Sequence, residues 1–117
     1  MENEDLSELI KTVLAKNKSF NKENLNFTDY CLEKMGDRGI NQDLVTDLII
    51  EGEPYYVKKQ KRNFQNKEET HYKLVYRVSS KYSIILIISY NERILNVINV
   101  IKTSKKAEKL WRKNLSK

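Results

Sequence analysis

With 117 residues, 39% of them hydrophobic and 32% charged, the chain is long enough for one modestly cored domain and too short for two. Its net charge of +6 is unevenly spread: residues 1–53 hold six Lys/Arg against twelve Asp/Glu, and residues 54–117 hold sixteen against four. One cysteine and one histidine exclude a disulfide framework and an ordinary zinc site, and no apolar run approaches the roughly 18 residues of a membrane span. The acidic opening Met1-Glu2-Asn3-Glu4-Asp5 does not read as an export signal. The expected setting is therefore the reducing cytoplasm, with no membrane, metal or cofactor.

In chain order, Leu6, Leu9, Ile10, Val13 and Leu14 form one face of a helix over residues 5–16. That stripe either packs on the domain or pairs two copies as a homodimer. The polar residues 17–26 read as a loop. A second helix begins at Phe27-Thr28-Asp29, where Thr28 can cap free N–H groups and Asp29 complements the helix dipole. It ends around Gly36 and Gly39. A third helix opens at Asn41, buries Leu44, Val45, Leu48 and Ile49, and stops at Gly52 before Pro54.

From Pro54 onward the period changes to two. Residues 55–62 read as an edge strand, because their later positions are all polar or charged, and 63–69 read as a connecting loop. Over 70–79, Tyr72, Leu74, Tyr76 and Val78 alternate with His71, Lys73, Val75 and Arg77, the mark of a strand with two unlike faces. After a turn at 79–81, residues 82–90 are apolar on both faces and suit a central strand. Asn91-Glu92 makes a hairpin turn into a last strand at 93–102, whose apolar residues include both parities. Thr103 or Ser104 then caps a final helix, with Ala107, Leu110, Trp111 and Leu115 as its apolar stripe and Lys105, Lys106, Lys109, Arg112 and Lys113 as its basic side. The predicted fold is a single α+β domain: N-terminal helices, a mainly antiparallel four-stranded sheet and a C-terminal helix.

Phe27, Thr28, Met35, Arg38, Gly39 and Ile40, then a helix with Val45 and Ile49, then Gly52-Glu53 and a strand with Leu74-Val75-Tyr76, resemble a small domain family grouped with the RelE/MqsR-like toxins. The resemblance covers residues 26–102, leaving 1–25 as an N-terminal helix and loop and 103–117 as the C-terminal helix. Two positions depart from the pattern: Tyr30 stands where the family usually has histidine, and Lys34 where it often has arginine. The resemblance implies a RelE-like toxin fold and an RNA-directed role, that of a metal-independent endoribonuclease (mRNA interferase) of a toxin–antitoxin pair. It also implies an acidic antitoxin protein as partner. The exchange at Tyr30 keeps open an alternative on the same scaffold, a non-catalytic nucleic-acid-binding or protein-interaction module. Arg38 is expected to fix the helix corner through cap or carboxylate contacts, with Asp37 or Glu53 as partner.

Cleaving RNA without metal requires a proton taken from the 2′-hydroxyl, positive charge at the phosphate and a proton for the leaving oxygen. His71, Lys73 and Arg77 share a strand face by parity and form the candidate catalytic set, with His71 moving protons and Lys73 and Arg77 holding phosphate. The same face also reads as an ordinary solvated one. The basic run Lys58, Lys59, Lys61 and Arg62 follows Tyr55-Tyr56. It suits a grip on a sugar-phosphate backbone, or simply the charged edge that deters aggregation. Tyr90 and Arg93 flank the last hairpin turn as a candidate clamp. RNA is accordingly the expected ligand, while Cys31 and Trp111 read as core.

Overall fold

The computed structural model describes residues 6–104. Helix α1 (Leu6–Lys18) leads through a 3-10 turn (Lys22–Asn24) to strand β1 (Leu25–Phe27) and to helices α2 (Asp29–Arg38) and α3 (Gln42–Ile50). Strands β2 (Tyr56–Phe64), β3 (Lys67–Arg77), β4 (Tyr82–Asn91) and β5 (Ile94–Ser104) follow. They form one sheet in the order β1-β5-β4-β3-β2, in which β1 runs parallel to β5 and the other pairs are antiparallel.

The α+β class holds, but the sheet has five strands and is mixed, not four-stranded and antiparallel. The added strand, β1, lies inside the stretch expected to be a loop. Three residues are too few to display a period, and their partner Leu95–Val97 is remote in sequence. Thr103 and Ser104 pair with Ser83 and Tyr82, so β5 runs two residues further than expected. The rest of the anticipated helix, Trp111 included, lies outside the described residues.

Two turns are tighter than expected. Residues 63–69 are not a loop: β2 and β3 close on Gln65 (φ 51°) and Asn66 (φ 64°), both left-handed, as two-residue hairpins require. Between β4 and β5 the turn is Glu92-Arg93, with Asn91 still paired to Ile94.

All three helices contribute to a core on one side of the sheet. Leu9 and Val13 of α1, Cys31 and Met35 of α2, and Val45 and Ile49 of α3 meet Val57, Leu74, Tyr76, Leu86 and Ile88. Each such buried side chain stabilises the fold by about 1.5–3 kcal/mol. The stripe of α1 is thus partly taken up by the chain's own core, although Leu6 stays exposed. A register shift opposite Ile87 and Ile88 lets Leu95, Val97 and Val100 all reach this core, which explains the mixed parity of the last strand.

Local chemistry fixes the helix ends. The Cys31 N–H donates to Thr28 Oγ1 at 3.1 Å, and Gly39 (φ 64°) closes α2 in the left-handed conformation that glycine adopts without strain. At Gly52 a Cβ would stand 2.7 Å from the Leu48 carbonyl oxygen, so the exit from α3 leaves no room for a side chain.

Candidate nucleic-acid interface

Because Tyr72, Leu74 and Tyr76 join the helix-side core, their neighbours His71, Lys73, Val75 and Arg77 occupy the opposite face. The register arranges that face in rows across the strands. One row is apolar and runs Tyr56–Val75–Ile85–Ile101; the next runs Lys58–Lys73–Ile87–Asn99. A third is polar, with Gln60 beside His71 and Ser89 beside Asn96 and then Asn26. Val75 and Ile85 are buried, Lys73 and His71 half-buried, and Lys58, Arg62 and Arg77 exposed.

The electrostatics concentrate at Lys58 and Lys73, which stand directly opposite one another. Like charges in that position repel. Burial lowers the Lys73 ammonium pKa from its usual value, and the Lys58 charge lowers it further. A recess of about 630 Å³ borders this row, lined by Gln60, Arg62, Lys73, Ile85, Ile87 and Ile101 among others.

The candidate catalytic residues share the face but are strung along it. At about 3.3 Å per residue, His71 and Lys73 lie about 7 Å apart, whereas His71 and Arg77 lie about 20 Å apart, with the apolar row between. Arg77 instead places its guanidinium 5.1 Å from the Tyr55 ring centroid. His71 lines a recess of about 310 Å³ with Thr28, Glu69, Ser89, Asn96 and Ile98. There Asn26 Nδ2 donates to Asn96 Oδ1 at 2.9 Å.

Of the basic run, Lys58 and Arg62 face this side. Lys59 and Lys61 face the other, where Lys61 Nζ lies 3.3 Å from Glu68 Oε1 in an exposed ion pair. Tyr90 and Arg93 are not brought to the face. Tyr90 points into the helix side: its hydroxyl donates to Asn17 Oδ1 at 2.6 Å, and its ring stacks on Phe20 beneath the Lys16 ammonium. Burial, then Tyr72 and Tyr76, pushes its pKa up. Arg93 is exposed in the turn.

Arg38 makes neither of its expected carboxylate contacts. Its Nη1 donates to the Val100 carbonyl at 2.6 Å and to Asn99 Oδ1 at 3.1 Å. Tyr30 is exposed on α2, with the Lys34 ammonium 5.5 Å from its ring centroid. Cys31 is fully buried; burial pushes its thiol up to about 11, against the opposing Arg38 charge, which makes it a core residue and a poor nucleophile.

The sequence reading missed Glu69, Ser89, Asn96 and Gln60. Glu69 was recoverable, since it lies two residues before His71 once the strand is known to start at Lys67. The Asn26–Asn96 contact spans 70 residues and left no local signal.

Fold and face together define an α+β protein in which no described helix packs on the sheet face that carries Lys58, Lys73 and Arg77. No family model, curated protein or solved structure matches the chain. Among the described residues no helix is long and apolar enough to cross a membrane, and no group of three or more His, Cys, Asp or Glu could hold a metal ion.

Proposed function

We propose that the protein is RNA-directed and holds an RNA strand across the face of β2 and β3 that carries Lys58 and Lys73. The observation that carries this reading is the Lys58–Lys73 pair. Two ammonium groups held side by side, one partly desolvated, repel one another, and an anion lying between them is attracted by both. Arg62 and Arg77 extend the positive track along the sheet, and Tyr56 offers a ring on which a base can stack. The residues that resemble the RelE/MqsR-like toxins put forward the same substrate class.

The reading is tested by binding a single-stranded RNA at increasing salt. Four phosphate contacts, from Lys58, Arg62, Lys73 and Arg77, predict a slope of about −3 in log K against log salt concentration. Lys58→Ala should reduce that slope by about 0.7. Absence of binding at low salt ends the proposal.

A second reading, metal-independent cleavage, is favoured by the recess that His71 shares with Glu69 and Asn96. In such a reaction the 2′-oxygen attacks phosphorus and gives its proton to a base. The bond to the 5′-oxygen breaks, and that oxygen takes a proton from an acid. Fragments ending in 2′,3′-cyclic phosphate should form in EDTA and disappear in His71→Ala while binding persists. Binding without fragments leaves the first reading standing alone.

A further inference from the structure

The sheet forks in its middle. Pairing between β3 and β4 stops at Tyr72 and Ile88, although β3 begins at Lys67 and β4 continues to Asn91. Beyond that point each strand keeps only its other neighbour: β3 pairs with β2 as far as Lys67, and β4 with β5 as far as Asn91. Two hairpins therefore part from one another. In an antiparallel ladder, alternate residues turn their N–H and C=O groups to the same neighbour. Val75 gives its carbonyl to Tyr55 on the β2 side, so Tyr72 and Thr70 face β4. Continued in register, Thr70 would pair with Tyr90, and it does not. The backbone donors and acceptors of these two residues look across the gap.

The gap is a recess of about 430 Å³ that shares Glu69, Ser89 and Asn96 with the one beside His71. Its lining also includes Lys16, whose ammonium lies 4.3 Å from the Tyr90 ring centroid. Asn96 Oδ1 accepts from Asn26, which turns the Asn96 amide N–H groups to other acceptors. Of the two carboxylates in the lining, Glu68 is tied to Lys61, and among the described residues no ion pair engages Glu69. Carboxylates repel phosphate, which sets this recess apart from the Lys58–Lys73 row. They favour a neutral ligand that presents two adjacent N–H donors. Guanine has that pair, N1–H and the 2-amino group, with O6 and N7 as acceptors for an ammonium or an amide. Adenine would set its own acceptor, N1, against the carboxylate, and uracil offers one N–H.

We infer that the fork between β3 and β4 binds a guanine base, with Glu69 accepting from N1–H and the 2-amino group. Lys16 and Asn96 are the donors to its acceptor edge, and the backbone of Thr70 and Tyr90 lines the remaining walls. The inference does not rest on the RNA reading, because the base presents the same groups in a free nucleoside and in a strand.

The test titrates guanosine, inosine and adenosine, each to about 1 mM, into the full-length protein and follows backbone amide signals. Guanosine should shift Thr70 and Tyr90. Inosine, which lacks the 2-amino group, should bind about tenfold more weakly, and adenosine should not bind. Glu69 is exposed, so Glu69→Gln should keep the urea midpoint while weakening guanosine about tenfold. Uridine nonamers with and without one central guanosine identify the source of the base. Tighter binding of the guanosine nonamer, lost in Glu69→Gln, assigns the fork to a base within a strand. Guanosine binding with equal nonamers assigns it to the free nucleoside. Adenosine binding as well as guanosine, shifts that spare residues 68–71 and 89–91, or guanosine affinity unchanged by Glu69→Gln would each overturn the inference. Nonamers that bind alike without any guanosine binding sink this inference alone. Guanosine binding without nonamer binding sinks the preceding one alone.

Discussion

At one edge of the sheet a helix takes over where the short strand β1 stops; at the other, β2 ends in exposed lysines and arginine. Both arrangements prevent uncontrolled strand pairing, by opposite means. On the covered side, polar groups become structure: Thr28 caps α2 and also reaches Ile98, and Arg38 is committed to Val100 and Asn99. On the other side Lys58, Lys59, Lys61 and Arg62 are all exposed, Lys61 in a solvent-exposed pair with Glu68. The division follows the charge along the chain: residues 1–53 carry the acidic excess, and the three described helices and β1 all lie within them.

The largest expected effect tests the covered edge through Cys31, which anchors α2. The folded protein holds the thiol proton more tightly than the unfolded chain, at about 11 against 9.0. Ionisation therefore favours unfolding: the contribution is complete below pH 9 and is lost as pH rises from 9 through 11. The loss amounts to roughly 3 kcal/mol. Tyr76 and Tyr90, also raised by burial, push in the same direction at higher pH. The diagnostic measurement is the urea midpoint at pH 8 and pH 10.5, whose difference should shrink in Cys31→Ala.

Next in size is Arg38→Ala. It removes a charged donor from a carbonyl whose residue, Val100, is fully buried, and should cost about 2 kcal/mol. Urea unfolding at neutral pH measures this. Arg38→Lys should recover part of the loss, because one ammonium can reach one of the two acceptors. If Arg38→Ala unfolds at the wild-type midpoint, the covered edge does not depend on that arginine.

The covered edge was the harder one to read. Thr28 as a cap and Gly39 as a stop follow from local backbone chemistry, and the alternation of β3 separated His71, Lys73 and Arg77 from the core. Nothing local marks β1, a three-residue parallel strand specified by residues 70 positions away. The acceptors of Arg38 are similarly distant, and one is a backbone carbonyl that no residue pattern announces. The Gln65-Asn66 turn escaped notice because its left-handed residues include no glycine. Tyr90 looked available because its partner, Asn17, lay in what read as loop. On the bare edge, by contrast, side-chain charge and strand period sufficed, since exposed cations there need no distant partner to be placed.

The smallest effect concerns that bare edge. Lys58→Glu converts the like-charge pair with Lys73 into an attractive one. At an exposed position this should raise stability by only about 0.5 kcal/mol, and the Lys73 pKa should move back up as the opposing charge disappears. RNA affinity should fall nonetheless, with a shallower salt dependence, because a cation on the track has become an anion. A substitution that stabilises the fold while weakening binding marks a residue kept for its ligand at the expense of stability. Urea unfolding and RNA titration of the same variant separate the cases. If Lys58→Glu destabilises the protein, the pair is not repulsive in the folded state, and the contrast between an edge built for structure and an edge left for anions fails at its central residue.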